Sequence, residues 1–303
     1  MRGFLGNQKG TTLVIAAVTL SALLGIVALV SDIGLAYLEK QKLDNAVDAA
    51  ALAAVQALKD GQDAARAVAE EYITANGFST DSMTVSFPAD GKSVEVSDNS
   101  SVNFYFARAL GISSTSIGSY AKALMAPLSG VKGARPLAVE KFDFQYGVGY
   151  TLKVGTGDEY SGNYGAVALG GTGASIYKDN IEFSYDGMLR VNQWIQSETG
   201  NMAGPTKTGI DYLLHQCPHV PRCDISHFDP TCPMVITVPI VNTLQVNGRG
   251  EIQIVGFAQF LLKGIEDKGG HADVTGWFIK NTVVGENDPN AQDFGVYSIK
   301  LIK

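Results

Sequence analysis

An unbroken apolar segment near the N-terminus constrains this chain more than any other feature. Residues 11–30 read TTLVIAAVTLSALLGIVALV and contain neither a charged residue nor a proline. A helix of this length, at about 1.5 Å per residue, spans about 30 Å, which is the thickness of a bilayer's hydrocarbon core. Because lipid offers no hydrogen-bond partners, a spanning segment must satisfy its own backbone as a helix does. The segment therefore predicts a transmembrane helix.

A cleaved secretory signal is the alternative interpretation of the same segment. The apolar core of such a signal is typically about 7–15 residues long and ends at a small-x-small cleavage site. Here the apolar core is longer, and the candidate site Ala28-Leu29-Val30 places valine before the cut. These two features favour an uncleaved anchor.

The charges on either side of the span suggest its orientation. Residues 1–10 carry Arg2 and Lys9 and no acidic residue, whereas Asp32 and Glu39 follow the span. Long domains can translocate regardless of their charge. We expect a single-pass membrane protein, with its N-terminus in the cytoplasm and its C-terminal domain outside.

Composition limits the class of protein and of partner. The chain has 303 residues, enough for about two domains, and 46% of them are hydrophobic, enough for a sizeable core. Its formal net charge is −7, and no long run of Lys and Arg is present. The basic footprint of a nucleic-acid-binding protein is therefore missing, and we expect no nucleic acid among its partners.

The pattern beyond the span predicts that the helix continues to about residue 59. Alanines recur there at i, i+4, i+7 and i+11, which places them on one face of a helix: Ala46, Ala50, Ala53 and Ala57. A neighbouring face carries Leu43, Val47, Ala51, Ala54 and Leu58. Small residues let another helix approach closely. The alanine face is either an intramolecular core face or a packing face for a partner.

The remaining pattern predicts an α+β chain with a mainly β C-terminal part. Before residue 128 it predicts a second helix at 62–75 with inward Ala65, Val68, Ala69 and Tyr72, a hairpin of 84–87 with 93–96, a helix at 102–110 and a strand at 117–125. After it, the best strand candidates are 148–154, 187–195, 234–241, 251–263 and 274–284. We expect an arm at 1–10, the span at 11–30, a helical extension with a small α+β module at 31–127, and a β-rich extracytoplasmic domain at 128–303.

The N-terminal pattern resembles a known family. A basic arm leads to Gly10 and the span, followed by Asp32-Ile33-Gly34 and by Asn45-Ala46-Val47-Asp48-Ala49-Ala50-Ala51-Leu52-Ala53. This is similar to the TadE/TadG-like proteins of Flp (Tad) pilus assembly. More loosely, residues 198–206 and 232–235 look like parts of long TadG-like proteins.

The resemblance implies a bitopic component of a pilus-assembly or surface-secretion apparatus in a bacterial cell membrane. Its implied partners are the membrane, other pilus-assembly or pseudopilin proteins, and further copies of itself. The family's pseudopilin members are cut after a glycine that is followed, five positions on, by glutamate. Here Ile15 stands five residues beyond Gly10, which favours the unprocessed, TadG-like type.

A loop in the second half collects all three cysteines and three of the four histidines: His215, Cys217, His219, Cys223, His227 and Cys232. Thiolate and imidazole are preferred zinc ligands, but the paired C-x2–4-C spacing of common zinc motifs is missing. Outside the cytoplasm one disulfide is favoured, with one thiol left over. A disulfide, a metal site and neither therefore remain open, with the disulfide preferred and no cofactor expected.

Recognisable catalytic motifs are missing from the sequence. The glycine-rich stretch at 170–175 lacks a G-K-[ST] ending, and no G-x-S-x-G or H-E-x-x-H occurs. We expect a non-catalytic component, with a surface adhesin or binding module as the alternative. A metal- or thiol-dependent envelope enzyme is a third hypothesis.

Overall fold

The computed structural model describes residues 8–153, 161–199, 201–244, 250–268 and 271–302. The chain divides into two compact units, of which the first comprises Met1–Leu124 together with Lys300–Lys303. The second comprises Met125–Ile299. Predicted strand residue Val154 lies outside the described residues.

Four α-helices and fourteen strands make up the described chain. The helices are α1 Gln8–Ala57, α2 Gln62–Ala75, α3 Ala174–Phe183 and α4 Ala203–His215. The strands are β1 Thr84–Ser86, β2 Ser93–Asn103, β3 Ser114–Val131, β4 Leu137–Glu140, β5 Gly149–Lys153, β6 Ser161–Ala168, β7 Leu189–Arg190, β8 Trp194–Ser197, β9 Val235–Val241, β10 Glu251–Lys268, β11 His271–Ile279, β12 Asn281–Thr282, β13 Glu286–Asn287 and β14 Val296–Leu301.

Helix α1 contains the predicted span and continues beyond it without a break, as the sequence indicated. Among the described residues it is the one helix long and apolar enough to cross a membrane, and its most apolar stretch has a mean hydropathy of 2.8. Leu13, Leu24 and Val30 illustrate its exposure, since each leaves more than half of its surface uncovered. By its length and composition this helix could cross a membrane.

The first unit builds its core on the second half of α1. The side chains of Leu43, Val47 and Ala51 are fully buried. Helix α2 packs on α1 through a stripe at a four-residue spacing, namely Ala65, Ala69 and Ile73. Strands β1, β2 and β3 form an antiparallel meander, whose first turn is the predicted hairpin.

Two details of the first unit differ from the sequence-based predictions. The predicted helix at 102–110 is wrong, because β2 continues to Asn103 and only a 3₁₀ turn, Ala107–Leu110, is helical. Pairing of β2 with β3 from Ser93 to Asn103 outweighs the helical spacing of the apolar residues. Tyr72 was predicted to point inward but is 42% exposed, and Ile73 takes the buried position.

The second unit is mainly β, as the pattern predicted. Seven of its described strands form a sheet in the order β11-β5-β6-β4-β9-β10-β8, and the sheet closes on itself because β10 also pairs with β11. The end of β3 pairs with β7 and β13 in a separate sheet. The strand predicted at 187–195 is split into β7 and β8 around Asn192, which has a positive φ of 69°.

Helices α3 and α4 cover the closed sheet and were not predicted. Tyr177 and Ile181 of α3 and Ile210 and Leu213 of α4 are buried in one core with residues of β9, β10 and β11. The Tyr177 hydroxyl lies 2.9 Å from the hydroxyl of Thr206, so the two helices share a buried hydrogen bond. A long loop then joins the end of α4 to the start of β9.

Candidate functional site

The carboxylate of Asp32 ties α1 to a distant turn, just after the predicted span ends. Its oxygens accept hydrogen bonds from the backbone N–H groups of Tyr105, Phe106 and Ala107 at 3.0, 3.0 and 2.6 Å. Asp32 is only 2% exposed. These N–H groups open the 3₁₀ turn, where a helical turn leaves donors without partners of its own. Asp32 therefore caps this turn from another element.

Hydrogen bonding also decides the protonation state of Asp32. Burial raises the pKa of its carboxyl, but the N–H groups of Ala107, Tyr105 and Phe106 outweigh burial and hold the pKa below its ordinary value. Hydrogen bonds to the charged form favour that form. The residue is thus a carboxylate at neutral pH.

The capped turn presents four large apolar side chains to the surface. We call them the apolar tip: Tyr105, Phe106, Leu110 and Ile112, which are 74%, 54%, 79% and 52% exposed. Asp32 is two residues past Val30, a rise of about 3 Å along a helix. The hydrogen bonds to Asp32 hold the start of the tip beside the end of the apolar span.

A strip of α1 continues the exposed apolar surface beyond the span. Ile33, Tyr37 and Leu38, which we call the α1 strip, are 57%, 65% and 59% exposed. Further along α1 the helix contacts the rest of the first unit: Asp44 accepts a hydrogen bond from the Ser119 hydroxyl at 2.6 Å. Lys40 forms an ion pair with the same carboxylate.

The alanine face lies mostly inside the first unit. Ala46 and Ala50 are fully buried there, and Ala53 and Ala57 are half-buried. Intramolecular packing against the unit's own elements accounts for the two buried alanines. Beyond the span, the large apolar side chains that α1 leaves exposed are those of the α1 strip, which the sequence analysis did not single out.

The loop between α4 and β9 brings four of the six candidate ligands together. The ligand atoms of Cys217, His219, Cys223 and Cys232, here the Cys–His cluster, all lie within 4.8 Å of one another. The Nδ1 atom of His219 is 3.3 Å from the Cys223 sulfur and 3.7 Å from the Cys217 sulfur. Cys223 and Cys232 are 5% and 3% exposed.

The other two candidate histidines make different contacts. His215, the last residue of α4, has its Nδ1 2.6 Å from the backbone oxygen of Asp211. His227 lies beside Asp224, with Nδ1 3.1 Å from the carboxylate. Neither belongs to the four-residue group. The sequence offered six candidate ligands, and the folded loop brings four of them together.

Local hydrogen bonds set the ionisation of the thiols. Burial raises the pKa of the Cys217 thiol, but backbone N–H groups of Cys223 and His219 that donate to its sulfur outweigh burial and lower the pKa to about 6. Burial raises the pKa of Cys232 to about 12, against the N–H of Met234, and the neighbouring sulfurs add to this. One thiolate is therefore favoured while a second nearby negative charge is not.

Chemically, the Cys–His cluster offers three sulfur donors and one nitrogen donor. The three cysteines are not bonded to one another, so the predicted disulfide is not seen in the structure. A carboxylate lies on the far side of the imidazole, since Oδ2 of Asp229 is 3.4 Å from Nε2 of His219. Hydrogen bonds from the Thr231 hydroxyl and backbone hold the pKa of Asp229 below its ordinary value.

A shallow cleft of about 220 Å³ lies elsewhere in the second unit. Its lining includes the first part of the glycine-rich stretch at 170–175. Trp194 is 56% exposed beside it. Polar and small residues complete the lining, among them Gly170, Gly171, Thr172, Gln193 and Gln196.

One comparison with known proteins is informative. Residues 10–57 match the family model of TadE/G-like Flp pilus-assembly proteins. No curated protein and no solved structure matches the chain. The matched segment runs from the start of the predicted span to the end of α1, and so includes Asp32 and the α1 strip. The resemblance drawn from the sequence of this segment is thereby confirmed.

Proposed function

We propose that this chain, with its TadE/G-like N-terminal segment, is a single-pass membrane component of a Flp pilus-assembly apparatus. The observation that carries the proposal is the match of residues 10–57, which coincides with α1 almost from end to end. The role is structural and non-enzymatic. The chain stays unprocessed, because Ile15 stands where a processed pseudopilin has glutamate.

The exposed surfaces near the span support a membrane-anchored role. The first unit would rest on the bilayer surface through the apolar tip, since Tyr105 and Phe106 lie where aromatic side chains favour the membrane–water interface. Exposed Arg108 in the same turn suits lipid phosphates. Tryptophan fluorescence, measured against the wild-type chain with its own Trp194 and Trp277, tests this contact: Phe106→Trp should add emission that brominated lipids quench, and the emission added by Tyr120→Trp, exposed on β3, should not be quenched. Equal quenching of both would remove the tip from the account.

The α1 strip supports contact with another membrane protein. Ile33, Tyr37 and Leu38 are exposed on α1 between the apolar span and the buried positions that begin at Leu43. We place the contact with a pilus-assembly or pseudopilin protein, or with a second copy of the chain, on this strip. The N-terminus would be cytoplasmic and both units extracytoplasmic.

Complementation of a deletion strain tests the proposed role. Loss of the chain should abolish surface pili, and the wild-type chain should restore them. The triple variant Ile33→Ser, Tyr37→Ser, Leu38→Ser should reach the membrane in normal amounts and fail to restore pili, since these residues are outside the core. The matched control alters exposed residues of α2, Arg66→Ser and Glu70→Ser, and should restore pili. Unchanged piliation in the deletion strain would refute the role.

The cleft of the second unit favours one alternative, a surface adhesin that shares the anchor. An exposed tryptophan beside amide and hydroxyl groups suits a sugar ring, because aromatic faces stack on apolar ligand faces and amides bind hydroxyls. Binding of the full chain to a glycan array, lost in Trp194→Ala while piliation is normal, would favour this reading. Loss of pili in the deletion strain, together with no glycan bound by the full chain, would exclude it.

A further inference from the structure

The loop from Gln216 to Met234 combines little regular structure with an ordered set of donor atoms. Its described residues contain no helix or strand, and one isolated bridge, Asp224 to His227, interrupts it. Even so, three sulfurs and one imidazole converge within it. We propose that Cys217, His219, Cys223 and Cys232 bind one zinc ion and that this ion holds the loop against the buried core of the second unit.

The distances between the donor atoms fit a single tetrahedral ion. Zn–S bonds of about 2.3 Å and Zn–N bonds of about 2.0–2.1 Å place neighbouring ligand atoms about 3.5–3.8 Å apart in a tetrahedron. The Nδ1 of His219 lies 3.3 and 3.7 Å from two of the sulfurs, and no pair of donors exceeds 4.8 Å. Side chains need only small adjustments to surround an ion.

The environment of His219 is that of a zinc-bound histidine. Its Nδ1 faces the sulfurs, while its Nε2 faces Oδ2 of Asp229 at 3.4 Å. Metal-ligating histidines almost always donate their other N–H to a carboxylate, a carbonyl or water, which fixes the ring's orientation. The carboxylate is itself fixed, because its Oδ1 accepts from the N–H and the hydroxyl of Thr231, both at 2.7 Å.

The donor set indicates a structural zinc site. Three thiolates and one imidazole are a common structural zinc set, and four protein ligands leave no open position for a substrate. Cys223 and Cys232 belong to the buried core that includes α4 and β9, so the ion would connect the loop to that core. The inference does not depend on the proposed function, because it concerns only residues of the second unit.

A disulfide is the competing fate of these cysteines. Two of the sulfurs joined together would leave the third thiol and His219 without a shared role, whereas zinc uses all four groups. The two states exclude each other chemically, since a disulfide sulfur is no longer a thiolate ligand. Metal content and thiol state measured on one preparation therefore separate them.

The test is zinc analysis of the full chain, purified in detergent from cells grown with zinc, while a separate portion of the same lysate has its free thiols blocked for peptide mapping only. We expect about one zinc per chain by mass spectrometry of the metal, and no disulfide in peptide maps. Cobalt(II) in place of zinc should give the absorption bands of thiolate–cobalt charge transfer. Cys223→Ala and His219→Ala should each lose the zinc, whereas His215→Ala and His227→Ala, which alter neighbouring histidines outside the cluster, should keep it.

A second measurement protects the test against misfolded variants. Removal of zinc from the wild-type chain by a chelator should expose the loop to protease, and added zinc should restore its resistance. Three results would overturn the proposal: no zinc in the reduced wild-type chain even after addition, a disulfide between any two of the cysteines as isolated, or full zinc retention in both Cys223→Ala and His219→Ala.

Discussion

At the scale of single residues, Asp32 links the end of the apolar span to the folded part of the first unit. Its carboxylate receives three consecutive backbone N–H groups from a turn more than seventy positions away. A carboxylate with several N–H donors is a strong hydrogen-bond acceptor, and removal of it leaves buried donors without partners. The Asp32-Ile33-Gly34 motif of the resemblance thus has a structural reason at its first position.

Replacement of Asp32 should loosen the apolar tip without unfolding the rest of the first unit. In Asp32→Ala the amides of Tyr105, Phe106 and Ala107 lose their acceptor, so we expect their hydrogen exchange to accelerate by at least tenfold, roughly the effect of one lost charged hydrogen bond. Glu70→Ala, an exposed acid of α2, is the control. Unchanged exchange at all three amides would contradict the capping role.

The same carboxylate predicts a pH dependence with a definite sign. The pKa of Asp32 in the folded chain lies below its ordinary value of 3.8. Its stabilising contribution is therefore fully present above pH 3.8 and declines as the pH falls through the lower folded value. Protease susceptibility of residues 105–112 should rise on acidification below pH 3.8 in the wild type. In Asp32→Asn this step should be absent, and persistence of the same step would assign it to another group.

Asp229 gives a prediction for the proposed zinc site. Asp229→Asn keeps an oxygen acceptor for Thr231 but removes the charge beside His219, so zinc affinity should fall about 10–100-fold, as is usual for such partners of a ligand. Asp224→Asn is the matched control, because Asp224 faces His227 in the same way outside the cluster. Competition with a zinc indicator measures both. Equal affinities of the two variants would remove Asp229 from the site.

At the scale of elements, α1 carries two different surfaces in succession. Its first part is exposed and apolar, and its second part is the central helix of the first unit. Small side chains are required there because α2 and β2 pack closely on it. The alanines therefore serve the fold first, and the α1 strip remains for contacts with other molecules.

Overpacking of the alanine face tests this assignment. Ala50→Leu inserts a large side chain into a fully buried position, so the free energy of unfolding of the first unit should fall by about 1–3 kcal/mol. The control Ala67→Leu, on the exposed face of α2, should change it by less than about 0.5 kcal/mol. Native-state hydrogen exchange of the β2 amides measures both. A neutral Ala50→Leu would move this face to an interface with a partner.

Local pattern predicted some elements and failed for others for physical reasons. The length and spacing of apolar residues gave α1, α2 and the β1–β2 hairpin, because their signals lie within a few residues. The apolar tip was missed since Phe106 and Leu110 follow helical spacing, while pairing of β2 and the remote Asp32 determine the backbone there. Helices α3 and α4 were missed within a glycine-rich, mainly β region.

The candidate sites show the same limit. The sequence identified six candidate Cys and His ligands within eighteen residues. Which of them lie together depends on the folding of the loop, including its turns at Asp224 and Asp229. The alanine face was found from its period, whereas the open surface next to it, at Ile33 and Tyr37, follows only from what the rest of the chain leaves uncovered.

At the scale of the whole molecule, the chain has two separately packed units, and the apolar span lies in the helix α1 of the first. The second half of α1 forms part of the first unit's core. Residue Ile302 also belongs to the first unit, and its N–H donates to the backbone oxygen of Lys122 at 2.7 Å. The second unit contains the closed sheet, the cleft and the Cys–His cluster. The TadE/G-like match covers α1 and therefore bears on the anchor and its contacts.

The most direct test of the proposed role is photocrosslinking from the α1 strip in native membranes. The photoreactive amino acid p-benzoylphenylalanine would replace Tyr37 in the full chain, and in a control it would replace Tyr72, which is exposed on α2. We predict that irradiation at position 37 captures a protein of the Flp pilus-assembly apparatus, identified by mass spectrometry, and that position 72 does not. Capture from position 37 of lipid alone, or of proteins unrelated to pili, would contradict the account.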